Sequence, residues 1–252
     1  MNYTTNRIDS NSRSVSGTSY SIGYPQLPQP NPNNWQMQWT VPEADARITS
    51  GWFWGNNKKA PKTLKDLGDM YFRSVGHGAT LLLNIPPNNQ GTLDAAITER
   101  TLELGQAISS TFADNLATAP GATATASEVR GNKDQFAADK AIDGRYDTYW
   151  TMEDGSTTGS LTIDLGARRQ FDVVSVEEYI TLGQRVAAFT VEYKDGDGEW
   201  KQFGEGTTIG AKRLLRSMPV RVDKLRLTIT ESYAVPLISE VGVYKAAEGF
   251  AF

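Results

Sequence analysis

The chain contains no cysteine. That excludes a disulfide framework and every thiolate metal site, though it leaves the compartment unassigned. Histidine occurs once, as His77, among 252 residues. Multi-histidine metal centres are therefore excluded and a Ser-His-Asp triad is disfavoured. There is no run of lysine and arginine, and the formal net charge is −4. A nucleic-acid partner is not expected, because phosphate binding draws on clustered positive charge. No apolar stretch approaches the length of a membrane span, so no membrane partner is expected either. Residues 1–7 are polar and unlike a signal peptide.

What is present is a globular balance of 39% hydrophobic and 21% charged residues, enough for one large domain or two ordinary ones. Three textures divide it. Residues 1–34 are rich in Asn, Ser, Thr, Gly and Pro and read as an irregular loop or tail. Residues 35–112 read as alternating strands and helices. A strand-like piece near Gln38–Ile48 precedes a helix over Thr63–Val75, whose Leu64, Leu67, Met70 and Val75 form one stripe, with Thr63 as a cap and Gly76 and Gly78 as its end. The apolar run Ala79–Ile85, closed by Pro86-Pro87, reads as a strand buried on both faces. A second helix is expected from Asp94 to Ser110. Residues 113–252 carry short runs such as Ser160–Leu165, Phe171–Val176, Ala188–Tyr193, Lys224–Thr230 and Ile238–Tyr244, separated by Gly/Asp turns. That pattern predicts an antiparallel β-sandwich.

The stretch from Val41 to Trp54 bears most directly on chemistry. On a strand, residues two apart share a face, so Glu43, Asp45 and Arg47 point the same way ahead of Gly51-Trp52-Phe53-Trp54. A carboxylic acid beside an aromatic wall suits proton transfer to a sugar leaving group, and the wall offers a platform for the ring. The structural alternative for Glu43 is a surface ion pair with Arg47. For Trp52, Phe53 and Trp54 it is packing.

Several motifs fall in an order that resembles a known family. Pro42-Glu43-Ala44-Asp45 with Gly51-Trp52-Phe53-Trp54, then Ser74-Val75-Gly76, then Leu81 to Gly91, look like bacterial α-L-fucosidases of glycoside hydrolase family 29, closest to the α-1,3/1,4 subgroup. Ala141–Trp150, Leu161–Gly166 and Glu178–Val186 resemble the discoidin-like (factor 5/8 type C) sandwich attached to such enzymes. The resemblance implies the C-terminal portion of a (β/α)8-like barrel over residues 35–112, followed by a discoidin-like jelly roll over 113–252. It makes Glu43 the acid/base of a retaining hydrolase and Trp52, Phe53 and Trp54 the wall of a fucose pocket. Asn84 to Gln90 become the last barrel strand and its following loop. The substrates implied are fucosylated oligosaccharides or glycoconjugates, with no cofactor for catalysis, in a secreted, periplasmic or cell-surface bacterial protein.

The family's Trp-Phe-Asp-Gly nucleophile motif does not occur in the sequence, and Arg47-Ile48-Thr49-Ser50-Gly51 stands where Ser-Ile-Arg-Pro-Gly is usual. Retention requires two carboxyl groups about 5–5.5 Å apart. The expectation is a C-terminal fragment, inactive alone, whose partner is the missing part of the barrel. The alternative is a carbohydrate-binding or structural sandwich with a barrel remnant. In the sandwich, Asp143, Asp147, Thr148 and Glu240 are candidate ligands of a structural Ca²⁺ on the family pattern. The alternative there is an Asx turn. Resemblance also sends Glu178, Gln184 and Arg185 toward the barrel.

Overall fold

The computed structural model describes residues 21–22, 42–55 and 60–252. The expectations for residues 1–34 lie outside these, save the two-residue strand β1, Ser21–Ile22. β1 runs antiparallel to β2, Glu43–Arg47, which runs parallel to β3, Thr80–Asn84, with Glu43 opposite Thr80 and Arg47 opposite Asn84.

Helix α1, Leu64–Ser74, connects β2 to β3. Thr63 begins it as a capping box, its Oγ1 accepting the Asp66 N–H at 3.1 Å while the Asp66 carboxylate accepts the Thr63 N–H. After a 3₁₀ turn over Val75–His77, Gly78 takes the left-handed conformation (φ 77°) that reverses the chain into β3. Helix α2, Ala95–Phe112, follows. Alternation along β2 turns Ala44, Ala46 and Ile48 inward, where Leu67, Met70 and Ile97 from the helices cover Ala46 and Ile48.

The remaining strands are β4 (Thr123–Ala126), β5 (Trp150–Thr151), β6 (Gly159–Glu178), β7 (Val186–Lys194), β8 (Lys201–Gly206), β9 (Arg213–Ser232) and β10 (Leu237–Tyr244). They pair antiparallel in the order β5-β10-β6-β9-β7-β8, with β4 also on β6. The runs at 160–165 and 171–176 are one ribbon. Its ladder with β9 shifts register between Asp164 and Arg169 and again at Phe171/Val173, so β6 serves β4 with its first half and β10 with its second. Trp150, Phe171, Phe189 and Leu227 lie in a core of the sandwich's own. This is the discoidin-like sandwich expected. No helix among the described residues is long and apolar enough to cross a membrane.

Two expectations change. Leu81 to Leu83 are not buried on both faces: Leu81 and Leu83 pack on the α/β core, while Leu82 is 53% exposed on the opposite face, paired in register with Asp45. A strand is buried twice only when both faces meet a layer, and the described residues supply one. The chain end also leaves the sandwich. Phe250 and Ala251 pack into the α/β core with Val173 of β6 and Leu214 of β9. Phe250 sits so close to α1 that a Cβ on Gly68 would lie 1.9 Å from its carbonyl oxygen. Arg216 ties this seam by pairing with Asp69, donating to the Ala251 carbonyl and lying over the Phe72 ring.

Candidate active site

Parallel strands that end together gather loops at their carboxyl ends, where barrel enzymes place their chemistry. Here β2 ends at Arg47 beside Asn84 of β3. The segment from Ile48 to Gly55 rises from that end carrying Trp52, Phe53 and Trp54. Phe53 is 87% exposed and Trp52 37%, while Trp54 is half-buried. Backbone bonds to Asn84 and Lys62 hold Ile48, and beyond it side chains hold the segment. Thr49 Oγ1 donates to the Gly51 carbonyl at 2.8 Å. Lys62 Nζ donates to the carbonyls of Arg47 and Thr49 at 2.8 and 2.7 Å, and burial together with the nearby Arg47 charge pulls its pKa down. Asn84 Nδ2 donates to the Trp52 carbonyl at 2.8 Å, and the Arg47 guanidinium lies 5.2 Å from the Trp52 ring centre. Trp54 Nε1 donates to Asp94 Oδ2 at 2.9 Å, and Asn88 Nδ2 to Asp94 Oδ1 at 3.1 Å. Phe53, Trp54, Pro86 and Asp94 line an open depression at this end.

Glu43 is elsewhere. It is the first residue of β2, exposed, four residues before the end from which the aromatic segment rises. At about 3.3 Å per residue that is about 13 Å along the strand. The sequence placed Glu43 and the three aromatics in one site; the strand direction separates them. Asp94, Asn84 and Arg47 are side chains that do meet the aromatic residues, and Asn88 reaches them through Asp94. Their sequence signals were ambiguous, since an aspartate just before a helix reads as a cap and an asparagine after a strand as a turn.

In the sandwich, Thr148 Oγ1 donates to the Asp143 carboxylate at 2.9 Å. Glu240 Oε2 accepts the Gly144 N–H at 3.1 Å and Oε1 the Asn115 amide at 3.2 Å. Asp143, Thr148 and Glu240 thus converge around Gly144. Asp147 does not join them; it forms an exposed pair with Arg145. Asp143 Oδ1 also accepts the Arg145 N–H at 3.0 Å, which is the Asx turn weighed above. Burial, then the charges of Glu177 and Asp143, push Glu240 up to about 8, against the hydrogen bond from Gly144. Glu178 is buried and accepts N–H groups of Arg185, Val186 and Gly210, while Arg185 donates to the carbonyls of Val235 and Leu182. Both brace sandwich loops and do not reach toward the α/β part.

Residues 123–241 match the F5/8 type C domain. A Ruminococcus gnavus GH29 fucosidase solved in complex with fucose is 53% identical over 86% of this chain and 43% of that one, with a TM-score of 0.80. The chain is therefore similar to part of α-L-fucosidases, GH29 enzymes among them. SpGH29 is 40% identical over 82% of this chain and 44% of its own, at a TM-score of 0.75. Alpha-L-fucosidase 1 of Arabidopsis thaliana is 35% identical over 82% of this chain and 41% of its own length. The fucosidase-like chain spans about two-fifths of the length of the curated relatives it matches.

Proposed function

We propose that this chain supplies the last part of the barrel, with its aromatic loop and buttressing sandwich, of a retaining α-L-fucosidase that removes terminal α-1,3/1,4-linked fucose from glycans. The observation that carries this reading is the position of Trp52, Phe53 and Trp54. They stand at the carboxyl ends of two parallel strands, in a chain 53% identical to a fucosidase that holds fucose. Exposed rings on a fixed backbone are what the apolar face of a deoxy sugar packs against. The domain limits follow as 35–112 for the barrel part and 113–252 for the sandwich, with the chain end returning to the barrel side.

Glu43 is the acid/base named by family resemblance; it stands exposed at the amino end of β2, so that role rests on the resemblance alone. No nucleophile is assigned. Asp45 lies two residues from Glu43 on the same strand, and Asp69 is held in α1 by Arg216. Retention needs two carboxyl groups facing each other across the bond, and no cofactor. The isolated chain is therefore proposed to be inactive and to require the missing barrel strands, in the same polypeptide or as a partner.

A structural Ca²⁺ in the sandwich is proposed on Asp143, Thr148 and Glu240, with main-chain oxygens completing the set. Hard oxygen donors and gathered negative charge fit a divalent cation of this kind. Among the described residues no three His, Cys, Asp or Glu side chains form a metal group unaided. Asp147 joins only by releasing Arg145.

The test is hydrolysis of an aryl α-L-fucoside by the full-length protein and by this chain alone. Activity in the first and none in the second is expected. No fucosidase activity in the full-length protein would overturn the reading. Trp54→Ala is expected to lower kcat/KM more than Glu43→Gln; the reverse order would restore Glu43 as the proton donor. A non-catalytic module is the second reading, favoured by the sandwich's independent core.

A further inference from the structure

We propose that Asp94 is a positioning residue that sets the orientation of the aromatic wall. The inference rests on the reading of that wall as a sugar-facing surface. Asp94 occupies the N-cap position of α2, with φ −63° and ψ 142°, yet its side chain makes no capping hydrogen bond. Aspartate is among the best N-caps because its carboxylate satisfies the free N–H groups of the first helical turn, worth about 1 kcal/mol. Thr63, in the same position of α1, does cap its helix.

The Asp94 carboxylate is spent on two other donors. Oδ2 accepts the Trp54 indole N–H at 2.9 Å and Oδ1 accepts the Asn88 amide at 3.1 Å. Asn88 is itself fixed, since its Oδ1 accepts from Gln90 N, Thr92 N and Thr92 Oγ1. That fixes the amide's orientation with its NH₂ toward Asp94. The result is a chain of bonds from the Asn88–Thr92 turn through Asp94 to Trp54. Asn84 holds the neighbouring Trp52 carbonyl from β3. Between these two anchors Phe53 projects into solvent, 87% exposed. At that exposure Phe53 takes little support from packing on the described residues, so the two anchors beside it set its direction. A hydrogen bond to a charged acceptor is stronger than one to a neutral group, which suits Asp94 to this task. The cap it forgoes costs α2 some stability for a fixed indole.

The experiment compares Asp94→Ala and Asp94→Asn with the parent chain. In the Asp94→Ala variant the Trp54 indole N–H is expected to exchange with solvent about tenfold faster or more, with its NMR signal displaced, because a charge-assisted bond is lost. The thermal midpoint should fall by a few degrees at most, because two part-buried side-chain bonds are lost but no capping bond is. Asp94→Asn keeps an acceptor for the indole and should hold most of the protection while losing the Asn88 bond. In the full-length protein, Asp94→Ala should raise KM for an aryl α-L-fucoside about threefold to tenfold, the cost of a wall no longer held ready. Asp94→Asn should restore part of it.

Unchanged indole exchange in Asp94→Ala would overturn the proposal. So would altered exchange with unchanged KM, since the bond would then serve only the fold. If the full-length parent is not a fucosidase while the indole still loosens, the sugar-facing reading fails and the clasp itself stands.

Discussion

The α/β part and the sandwich bury their cores by different means. The sandwich closes on itself: its strands supply both layers, and its core holds Trp150, Phe171 and Phe189 without help from the helices. The α/β part does not. Three strands and two helices cover one face, and the other side of the core is finished by Val173, Leu214, Phe250 and Ala251 from beyond residue 113. Leu82 on the opposite face meets no such cover among the described residues. A self-contained module and a dependent one therefore share a seam, and damage to the seam should fall on the dependent side.

The largest effect is expected from Gly68→Ala. A Cβ there would lie 1.9 Å from the Phe250 carbonyl oxygen, and backbone cannot yield as a side-chain tip can. The α/β part should lose about 3 kcal/mol while the sandwich transition stays in place, which calorimetry would resolve as two separated melts. A single cooperative loss would show that the two parts are one folding unit.

Calcium should act on the other side of the comparison. A concentration 100 times its Kd should stabilise the sandwich by about 2.7 kcal/mol, with no change in the α/β transition. Glu240→Gln should remove that response, as followed by melting with and without chelator. No response in the parent sandwich would leave the loop as an Asx turn.

Acid should reverse the order. His77 belongs to the α/β part, and burial together with the Arg213 and Arg73 charges pulls its pKa down to about 4, against the bond to the Phe72 carbonyl. Its folded pKa lies below its unfolded value of about 6.5, so the folded form binds fewer protons between those values. Stability of the α/β part is then full above about pH 6.5 and falls by about 2–3 kcal/mol as pH drops through 4. The sandwich has no histidine. His77→Gln should flatten the profile in that window.

The smallest effect is expected at Trp200. Its ring lies under Arg226 at 4.2 Å and Lys194 at 5.2 Å, and Trp150 is fully buried with its Nε1 on the Glu128 carbonyl. Trp150 offers no face to a sugar, and two cations already lie against the partly buried Trp200 ring. Trp200→Ala should cost about 0.5–1 kcal/mol and leave glycan-array binding unchanged. A loss of glycan binding would make the sandwich a lectin and not a buttress.

Much of the architecture could be read from periodicity. The stripe from Leu64 to Val75 and its Thr63 cap emerged as α1, and the short β runs emerged as the sandwich strands. Local pattern determines both, because each is fixed by neighbours a few residues away. What failed to show was direction and distance. The alternation that put Glu43, Asp45 and Arg47 on one face was sound, but alternation does not say which strand end the chemistry occupies. Parallel pairing with β3 puts the aromatic segment at the shared carboxyl ends, and it is a contact between residues 37 apart (Glu43 with Thr80). Asp94 was hidden for a related reason. Its partner Trp54 is 40 residues away, and the nearest local explanation for an aspartate before a helix was a satisfactory one.

The wedge of Phe250 against α1 also carries a consequence for synthesis. A ribosome makes β2 and both helices before the sandwich, and then about 140 residues pass before Phe250 appears. At about 5–20 residues per second that interval lasts about 7–28 s. Through it the nascent α/β segment holds an uncovered apolar face that Leu67, Met70 and Phe72 cannot close among themselves. The sandwich, complete in sequence once β10 has emerged, lies between that segment and the last piece of its core.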